Sequence, residues 1–209
     1  MELKEYILSG VEAKNISKWI WGLYKGGKEI QVRAACSFAR HCLPIWQNHK
    51  DCGGWECCFG SDSIRKALIK AEQWLKNPSE ENRLEIVKVL PMAKIDMGKA
   101  YFASDEASGS AERVASRDRA ACAASSTVSA CEAATWTENN AKIGFKHDLN
   151  EVEARIEAGP SLECVDAISS AIESTQLNIN EVKDLLLKSL VNENIESLKS
   201  DQVTYCITL

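Results

Sequence analysis

The sequence predicts an all-α protein: a multi-helix bundle with an Ala-rich central helix and an additional helical segment towards the C-terminus. Apolar residues recur at helical spacing in almost every segment of the 209-residue chain. Residues 110–136 are rich in Ala, Ser and Cys, which allows neighbouring helices to approach closely. There is no alternation of strand and helix patterns, so a parallel α/β sheet is not expected.

The N-terminal third contains three helical patterns. Residues 11–25 and 28–46 predict two helices joined at Gly26 and Gly27, and Pro44 is expected to bend the second near its end. Ser61 or Asp62 is suited to cap a third helix, which begins there and runs to residue 76. Its apolar stripe is formed by Ile64, Ala67, Leu68, Ala71, Trp74 and Leu75.

Two prolines mark the next segment. The third helix is expected to end at Asn77, because the residue before Pro78 is pushed out of the α region. Asn77 is also expected to cap the following helix, whose pattern continues through "RLEIVKVL". Pro91 is expected to kink or break that helix before residues 92–104.

Beyond the central helix, a loop at 137–147 separates segments of different composition. Helices are expected at 148–158, at 161–174 and, capped by Asn180, at 180–198; only residues 202–209 are strand-like. Residues 148–209 hold 12 acidic and 4 basic side chains, while the chain as a whole carries a net charge of −5. We therefore predict a helical bundle core over 1–140 and an acidic helical extension over 148–209, packing on or beside that core.

Composition restricts location and partners. No apolar run reaches the ~18 residues that a membrane span needs, and Glu2 and Glu5 make the N-terminus unlike a secretory signal. We predict a cytoplasmic protein whose nine cysteines are mostly reduced. The sequence has no dense basic stripe of the kind that binds nucleic acid. We therefore expect neither a membrane nor a nucleic-acid partner.

One stretch, "HCLPIWQNHKDCGGWECC" at His41–Cys58, concentrates four cysteines and two histidines. Zinc ligands usually come in pairs such as C-x₂-C or H-x₃-H, and His41, Cys42, His49, Cys52, Cys57 and Cys58 do not have that spacing. The favoured interpretation is that the cysteines pack in the core, since Cys is among the most buried residue types. A disulfide among Cys52, Cys57 and Cys58 would require an oxidising compartment.

No catalytic, cofactor-binding or metal-binding residue is predicted, and no cofactor. The histidines are His41, His49 and His147, and no nucleophile signature surrounds any cysteine. Neither glycine-rich phosphate motif is present. Arg65 and Lys66 follow a helix start and could hold an anion there, but surface charge is the favoured interpretation. The terminal "CITL" matches a prenylation box only superficially, because Thr208 is not aliphatic.

The segment from about residue 30 to 140 resembles a family of helical bacterial proteins described as immunity proteins, which neutralise polymorphic toxins of neighbouring cells. The resemblance lies in Ala35, Ala39, Leu43, Pro44, Ile45 and Trp46, in Arg65, Ala67, Leu68, Ala71 and Trp74, and in the Ala-rich helix after them. The loop between the first two motifs and residues 145–209 depart from the family pattern. The resemblance implies a binding function and carries over no catalytic residue.

The leading hypothesis is therefore a non-catalytic protein-binding module, specifically an immunity protein for a cognate toxin. The acidic C-terminal third would suit a basic toxin domain. Two alternatives stay open: a metal- or thiol-dependent enzyme that uses the His41–Cys58 cluster, and a structural or regulatory helical adaptor. The sequence does not indicate an oligomeric state.

Overall fold

The computed structural model describes residues 27–49, 60–105, 109–137 and 160–190. Of this described part 89% is helical and none is strand, so the predicted all-α class is confirmed. The six helices are α1 (Gly27–Asn48), α2 (Asp62–Lys76), α3 (Glu80–Asp105), α4 (Ala111–Thr135), α5 (Ser161–Thr175) and α6 (Ile179–Leu190). None of them is long and apolar enough to cross a membrane. The predicted helices at 11–25 and 148–158, the end of the one at 180–198 and the strand-like 202–209 lie outside the described residues.

The Ala-rich helix α4 is the centre of the bundle, as its composition predicts. It packs against α1, α2, α3 and α5. Its buried positions are mostly Ala, Ser, Thr and Cys, so the neighbouring helices supply the bulk. Phe38 and Trp46 of α1, Leu68 of α2, Ile86 of α3 and Ile168 of α5 are all fully buried. Small side chains on α4 thus allow large ones from its neighbours to fill the core at close range.

Helix α1 contributes several of the largest fully buried side chains, including Phe38, Leu43 and Trp46. It continues to Asn48 through Pro44, whose side chain is exposed in the last part of the helix. Trp46 Nε1 donates a hydrogen bond to the Ser61 carbonyl at 3.2 Å, which satisfies the polar atom of a buried indole. This contact ties the end of α1 to the start of α2.

The start of α2 is held by a buried carboxylate on α3. Ser61 is the N-cap residue, but its hydroxyl does not cap the helix and instead donates to Asp96 Oδ2 at 2.7 Å. The hydroxyl of Ser63 donates to the same oxygen, and Asp96 is only 8% exposed. The predicted helix start was therefore right in position, while tertiary contact redirected the capping side chain.

For α3, the predicted cap at Asn77 was wrong, and of the kink or break expected at Pro91 the break does not occur. The helix is capped by Ser79, whose Oγ accepts from the Asn82 N–H at 3.2 Å, and Asn77 instead ends α2. Pro91 does not break α3, which runs without interruption for 26 residues. The loss of one backbone hydrogen bond is outweighed by packing of the opposite face, where Ile86 and Ala93 are fully buried.

Helices α5 and α6 belong to the same packed core as α1 and α4. Ser126 on α4 donates to the Ala167 carbonyl at 2.6 Å, and the Cys164 thiol donates to the Gln31 carbonyl at 3.2 Å. The cap of α6 is Asn178 rather than the predicted Asn180, because Asn178 Oδ1 accepts from the N–H groups of residues 180 and 181. In the described part, residues 160–190 therefore share the core of the preceding helices.

Candidate binding surfaces

The end of α1 separates the ligand-type residues of the His41–Cys58 stretch. His41 is exposed, whereas the adjacent Cys42 is fully buried and contacts the carbonyls of Ala39 and Ala123. Successive helical residues point about 100° apart, which separates the imidazole from the thiol. Cys52, Cys57 and Cys58 lie outside the described residues. Within the described ranges, no group of three or more His, Cys, Asp or Glu side chains could hold a metal ion.

The five cysteines that the structure describes are free and buried. Burial raises the pKa of Cys42 and Cys164 to about 12 and that of Cys122 to about 11. It also raises the pKa of Cys36 and Cys131 above the ordinary thiol value. The reactive form of cysteine is the thiolate, so these five side chains act as small apolar packing groups. For Cys42 this agrees with the interpretation made from sequence.

A cleft of about 640 Å³ opens where the C-terminal ends of α1 and α5 meet the first half of α4. We call it the α1–α4–α5 cleft. Its lining residues are His41, Ile45, Asn48, His49, Ser116, Arg119, Ser174 and Thr175. These described residues include one guanidinium, two imidazoles, an amide and three hydroxyls, and none of them is a carboxylate or a thiol. The volume falls within the range of small-molecule sites.

Two polar groups of the cleft lack protein partners among the described residues. Ser174 is fully buried, and its Oγ has no hydrogen-bond partner. An unsatisfied buried hydroxyl costs about 1–3 kcal/mol. Arg119 is exposed and forms no ion pair with any described carboxylate. By contrast, His49 Nδ1 and Ser116 Oγ lie 3.4 Å apart and can share a hydrogen bond.

The anion site considered at the start of α2 is not formed by the described residues. Arg65 Nη2 lies 2.8 Å from Asp62 Oδ1, and Lys66 Nζ lies 3.5 Å from the other carboxylate oxygen of the same residue. Both cations are thus partly neutralised by a carboxylate in the first turn of their own helix. This supports the interpretation that they are surface charges.

Helix α3 carries six of the eight large hydrophobic side chains that are exposed among the described residues, most of them on its outward side. We call it the α3 apolar surface and define it by Leu84, Val87, Pro91, Met92, Ile95 and Phe102. The exposed fractions of its side chains include 57% for Met92, 51% for Ile95 and 52% for Phe102. Spacings of three, four and seven residues place most of them on one helical face, opposite the buried Ile86 and Ala93. With a rise of 1.5 Å per residue, the surface extends about 27 Å along α3.

Charged residues flank this surface differently on its two sides. Lys88 and Lys99 lie at angles between those of Ile95 and Met92 around the helix, and Lys88 Nζ pairs with Glu85 Oε1 at 2.5 Å. On the side towards α4 and α5, Lys94 is paired with Glu132. Asp166 on α5 lies near Glu132, and burial together with that carboxylate raises the pKa of Asp166. A positive group placed beside Asp166 would relieve this repulsion.

Sequence reasoning identified His41 and His49 as ligand-type residues but missed their cleft partners Ser116, Arg119, Ser174 and Thr175. Those four lie on α4 and α5, more than 60 residues along the chain from His49. No local spacing relates positions that only helix packing brings together. The α3 apolar surface could have been predicted from the sequence. Residues 84–102 are apolar around most of the helix, whereas a helix with one buried face needs only a single apolar stripe.

No protein-family model matches the chain, and neither the search of curated proteins nor that of solved structures found a match.

Proposed function

We propose that this protein is a non-catalytic protein-binding module, and specifically an immunity protein that neutralises a cognate bacterial toxin. The observation that carries the binding function is the α3 apolar surface. Contiguous exposed apolar residues on a folded protein mark interaction sites, since each costs free energy while it faces water. The toxin as partner follows from the family resemblance over residues 30–140.

The centre of the proposed interface would be Met92, Ile95 and Phe102. Each is about half exposed, so a partner surface could remove much additional apolar area from water. Their backbone belongs to a helix whose other face is anchored in the core, and little ordering would be required on binding. Large side chains on a rigid element are the usual source of binding energy in a specific interface.

The charges beside this surface favour a partner with basic groups on the α5 side. Asp166 and Glu173 are exposed on α5, and Asp166 already lies near Glu132. The repulsion between two carboxylates falls when a partner cation lies between them. The proposed occupant is therefore a protein with an apolar patch that places a Lys or Arg beside Asp166 on α5 rather than beside the lysines of α3, consistent with a basic toxin domain.

A second copy of the chain fits the same surface less well. In an antiparallel pairing centred on the Leu84–Phe102 span, Lys94 of one chain would lie beside Lys94 of the other. Lys88 would lie beside Lys99 on the opposite flank. Juxtaposed like charges disfavour such a pairing.

The alternative of an enzyme that uses the His41–Cys58 cluster receives no support from the described residues. Cys42 is buried away from His41, and its pKa is raised to about 12 by burial. A thiol nucleophile needs the opposite shift together with an accessible sulfur. The binding function therefore has the stronger physical basis.

The immunity role is tested by expressing the products of the neighbouring genes in its own genome, with and without this chain. We expect one of them to stop growth when expressed alone and to be neutralised by co-expression of the wild-type chain. Ile95→Glu should abolish this protection, because it places a carboxylate at the centre of the interface. Neighbouring genes whose products are all harmless, or a toxin that the chain does not neutralise, would contradict the immunity role.

The matched control is Ile179→Glu, which alters an exposed isoleucine at the start of α6. Both variants should keep the wild-type melting temperature, since surface changes usually alter stability by no more than about 0.5 kcal/mol. Ile179→Glu should protect as well as wild type. Equal protection by a folded Ile95→Glu variant would place the toxin contact elsewhere and refute the proposed surface.

A further inference from the structure

We infer that a notch in the α3 apolar surface receives one large apolar side chain from a basic amphipathic helix of the partner. We call it the Gly98 notch and define it by Gly98 and the surrounding Lys94, Ile95, Tyr101 and Phe102. The inference rests on the proposed binding function of the α3 apolar surface and adds the chemistry of the segment that binds there. It is carried by a glycine that the described fold does not require, by the large side chains around it and by two carboxylates on α5.

Gly98 has no structural role that the described residues explain. It is exposed in the middle of α3, and a Cβ atom added there would meet no described heavy atom within 4 Å. Its backbone belongs to an uninterrupted helix and lacks the positive φ that favours glycine. Glycine inside a helix is less favourable than alanine, because it loses more conformational freedom on folding. A larger residue at this position should therefore stabilise α3.

The neighbours of Gly98 turn the missing side chain into a notch. Residues three and four positions apart are nearest neighbours on a helix surface, and four such residues surround Gly98. Ile95 is 51% exposed, Phe102 52% and Tyr101 38%. Side chains of this size keep a second backbone at a distance but leave room for a single side chain over Gly98. The notch therefore has the form of the hole that receives one knob in helix–helix packing.

The form of the α3 apolar surface favours a helix as the occupant. Because this surface lies on a helix, most of its backbone N–H and C=O groups are already paired within α3. An extended strand laid along it would leave its own backbone groups without partners, whereas a helix satisfies its own. The apolar face extends about 27 Å along α3, which suits a second helix packed alongside.

Two carboxylates flank the notch on the α5 side. Asp166 and Glu173 are exposed and seven residues apart, so they share one face of α5 about 10 Å apart along its axis. Glu173 lies near Tyr101, and Asp166 lies near Glu132, which pairs with Lys94. The two carboxylates thus lie beside opposite ends of the notch. Two cations seven residues apart on a partner helix would match their spacing.

These features specify the sequence pattern of the occupant. It has one large apolar residue, with a Lys or Arg about one turn before it and another about one turn after it. In a helix these three positions lie on the same side. The lysines of α3 do not oppose this arrangement: Lys94 is paired with Glu132, and Lys99 points about 100° away from Gly98, on the side opposite to Lys94.

The test uses a yeast-displayed library of helices as long as the α3 apolar surface, with one face randomised. The library is sorted for binding to the labelled full-length protein in the presence of excess unlabelled Ile95→Glu variant, which removes helices that bind elsewhere. We expect the enriched helices to carry a large apolar residue between two basic residues at the stated spacing. This probe does not require the identity of the toxin, so the inference is tested even if the immunity role fails.

Three variants locate the contact. Gly98→Leu fills the notch and should weaken binding of the enriched helices by about tenfold or more. It should also raise the melting temperature, because leucine is a better helix former than glycine, so misfolding would not explain the loss. Gln73→Leu is the matched control, since it adds a leucine at an exposed position of α2, and it should bind as wild type.

The third variant combines Asp166→Asn with Glu173→Gln. It removes both carboxylates with little change of shape, so it should weaken binding and reduce the dependence of affinity on salt. Enriched helices that lack basic residues, or that bind this variant as tightly as wild type, would refute the basic character of the occupant.

The remaining outcomes separate this inference from the proposed function. Helices that reject Ile95→Glu but bind Gly98→Leu as tightly as wild type would refute the notch and leave the α3 apolar surface as the interface. A lower melting temperature of Gly98→Leu would show that the fold requires the glycine, which would also refute the inference. If no enriched helix distinguishes wild type from Ile95→Glu, the α3 apolar surface fails as a binding surface, and the notch fails with it.

Discussion

At the scale of single residues, burial determines which side chains are chemically available. Lys28, at the start of α1, donates to the Trp136 carbonyl at 2.8 Å, and its ammonium lies 4.7 Å from the centre of the Trp74 ring. Partial burial and the nearby positive charge of Arg83 lower its pKa to about 8, against the opposing effect of Glu80. Lys28 thus connects the start of α1 with the ends of α2 and α4, and its pKa is lowered in that position.

We predict that Lys28→Met changes how stability depends on pH. Its pKa rises from about 8 in the folded chain to its ordinary 10.5 on unfolding. Between those values the unfolded chain binds more protons, so this group makes stability increase with pH. Urea unfolding across that window should show the advantage of wild type over Lys28→Met growing as pH rises.

Lys88→Met is the control for this experiment because the contact with Glu85 raises the pKa of Lys88. Its contribution to stability has the opposite sign: it is present below the unfolded-state pKa and is lost as pH rises through the folded-state pKa. A Lys28→Met curve parallel to that of wild type at every pH would contradict the prediction.

The buried thiols should be unreactive in the native protein. Burial raises the pKa of Cys42 and Cys164 to about 12, so almost no thiolate exists near neutral pH. Alkylation with iodoacetamide at about pH 7.5, read by peptide mass spectrometry, should modify these cysteines only when urea is added. Rapid labelling of either residue without denaturant would show that the core opens locally.

At the scale of the elements, capping and packing compete with the intrinsic preferences of the chain. The Ser61 hydroxyl serves Asp96 instead of its own helix, and Ser110 caps α4 by accepting from the Arg113 N–H. Helix α3 continues through Pro91 because its inner face is anchored by the core. Sequence signals therefore predicted where helices begin better than they predicted which side chains cap the first backbone N–H groups.

Pro91→Ala should stabilise the protein by about 1–3 kcal/mol, since proline in a helix interior removes a hydrogen bond and crowds the preceding turn. Pro91 is exposed, so the change leaves no cavity in the core. Chemical denaturation measures the difference, with Met92→Ala as a control at the neighbouring exposed position. A Pro91→Ala variant no more stable than wild type would mean that α3 accommodates the ring without strain.

At the scale of the whole molecule, α5 completes the core around α4. Ala167, Ile168 and Ala171 are fully buried, and α5 packs on both α1 and α4. Removing the chain after residue 147 to test function would therefore remove part of the core as well. Point variants on exposed positions separate binding from folding more cleanly.

Ile168→Ala should destabilise the protein by about 2–5 kcal/mol, because it leaves a cavity between α5 and its neighbours. Ile95→Ala removes the same atoms from an exposed position and should change stability by no more than about 0.5 kcal/mol. Urea unfolding of both variants compares the two positions directly. Equal, small effects would show that α5 lies against the bundle without stabilising it.

The helical class, the central place of the Ala-rich helix and the burial of Cys42 were all readable from the sequence alone. These follow from periodicity and side-chain size, which are local properties that survive in any packing of the chain. The sequence also marked the start of α2, where Ser61 and Asp62 come ahead of an apolar stripe. Nothing non-local was needed for those conclusions.

The partners of side chains and the faces left to solvent depend on how the helices pack. Asp96 became the acceptor for Ser61, α3 continued through Pro91, and Arg119 came to lie with His41 in one cleft. Each outcome depends on the relative placement of helices separated by a loop, which local propensity does not encode. For that reason the sequence predicts a helical bundle, whereas the candidate binding surfaces can be identified only from the packing of the helices.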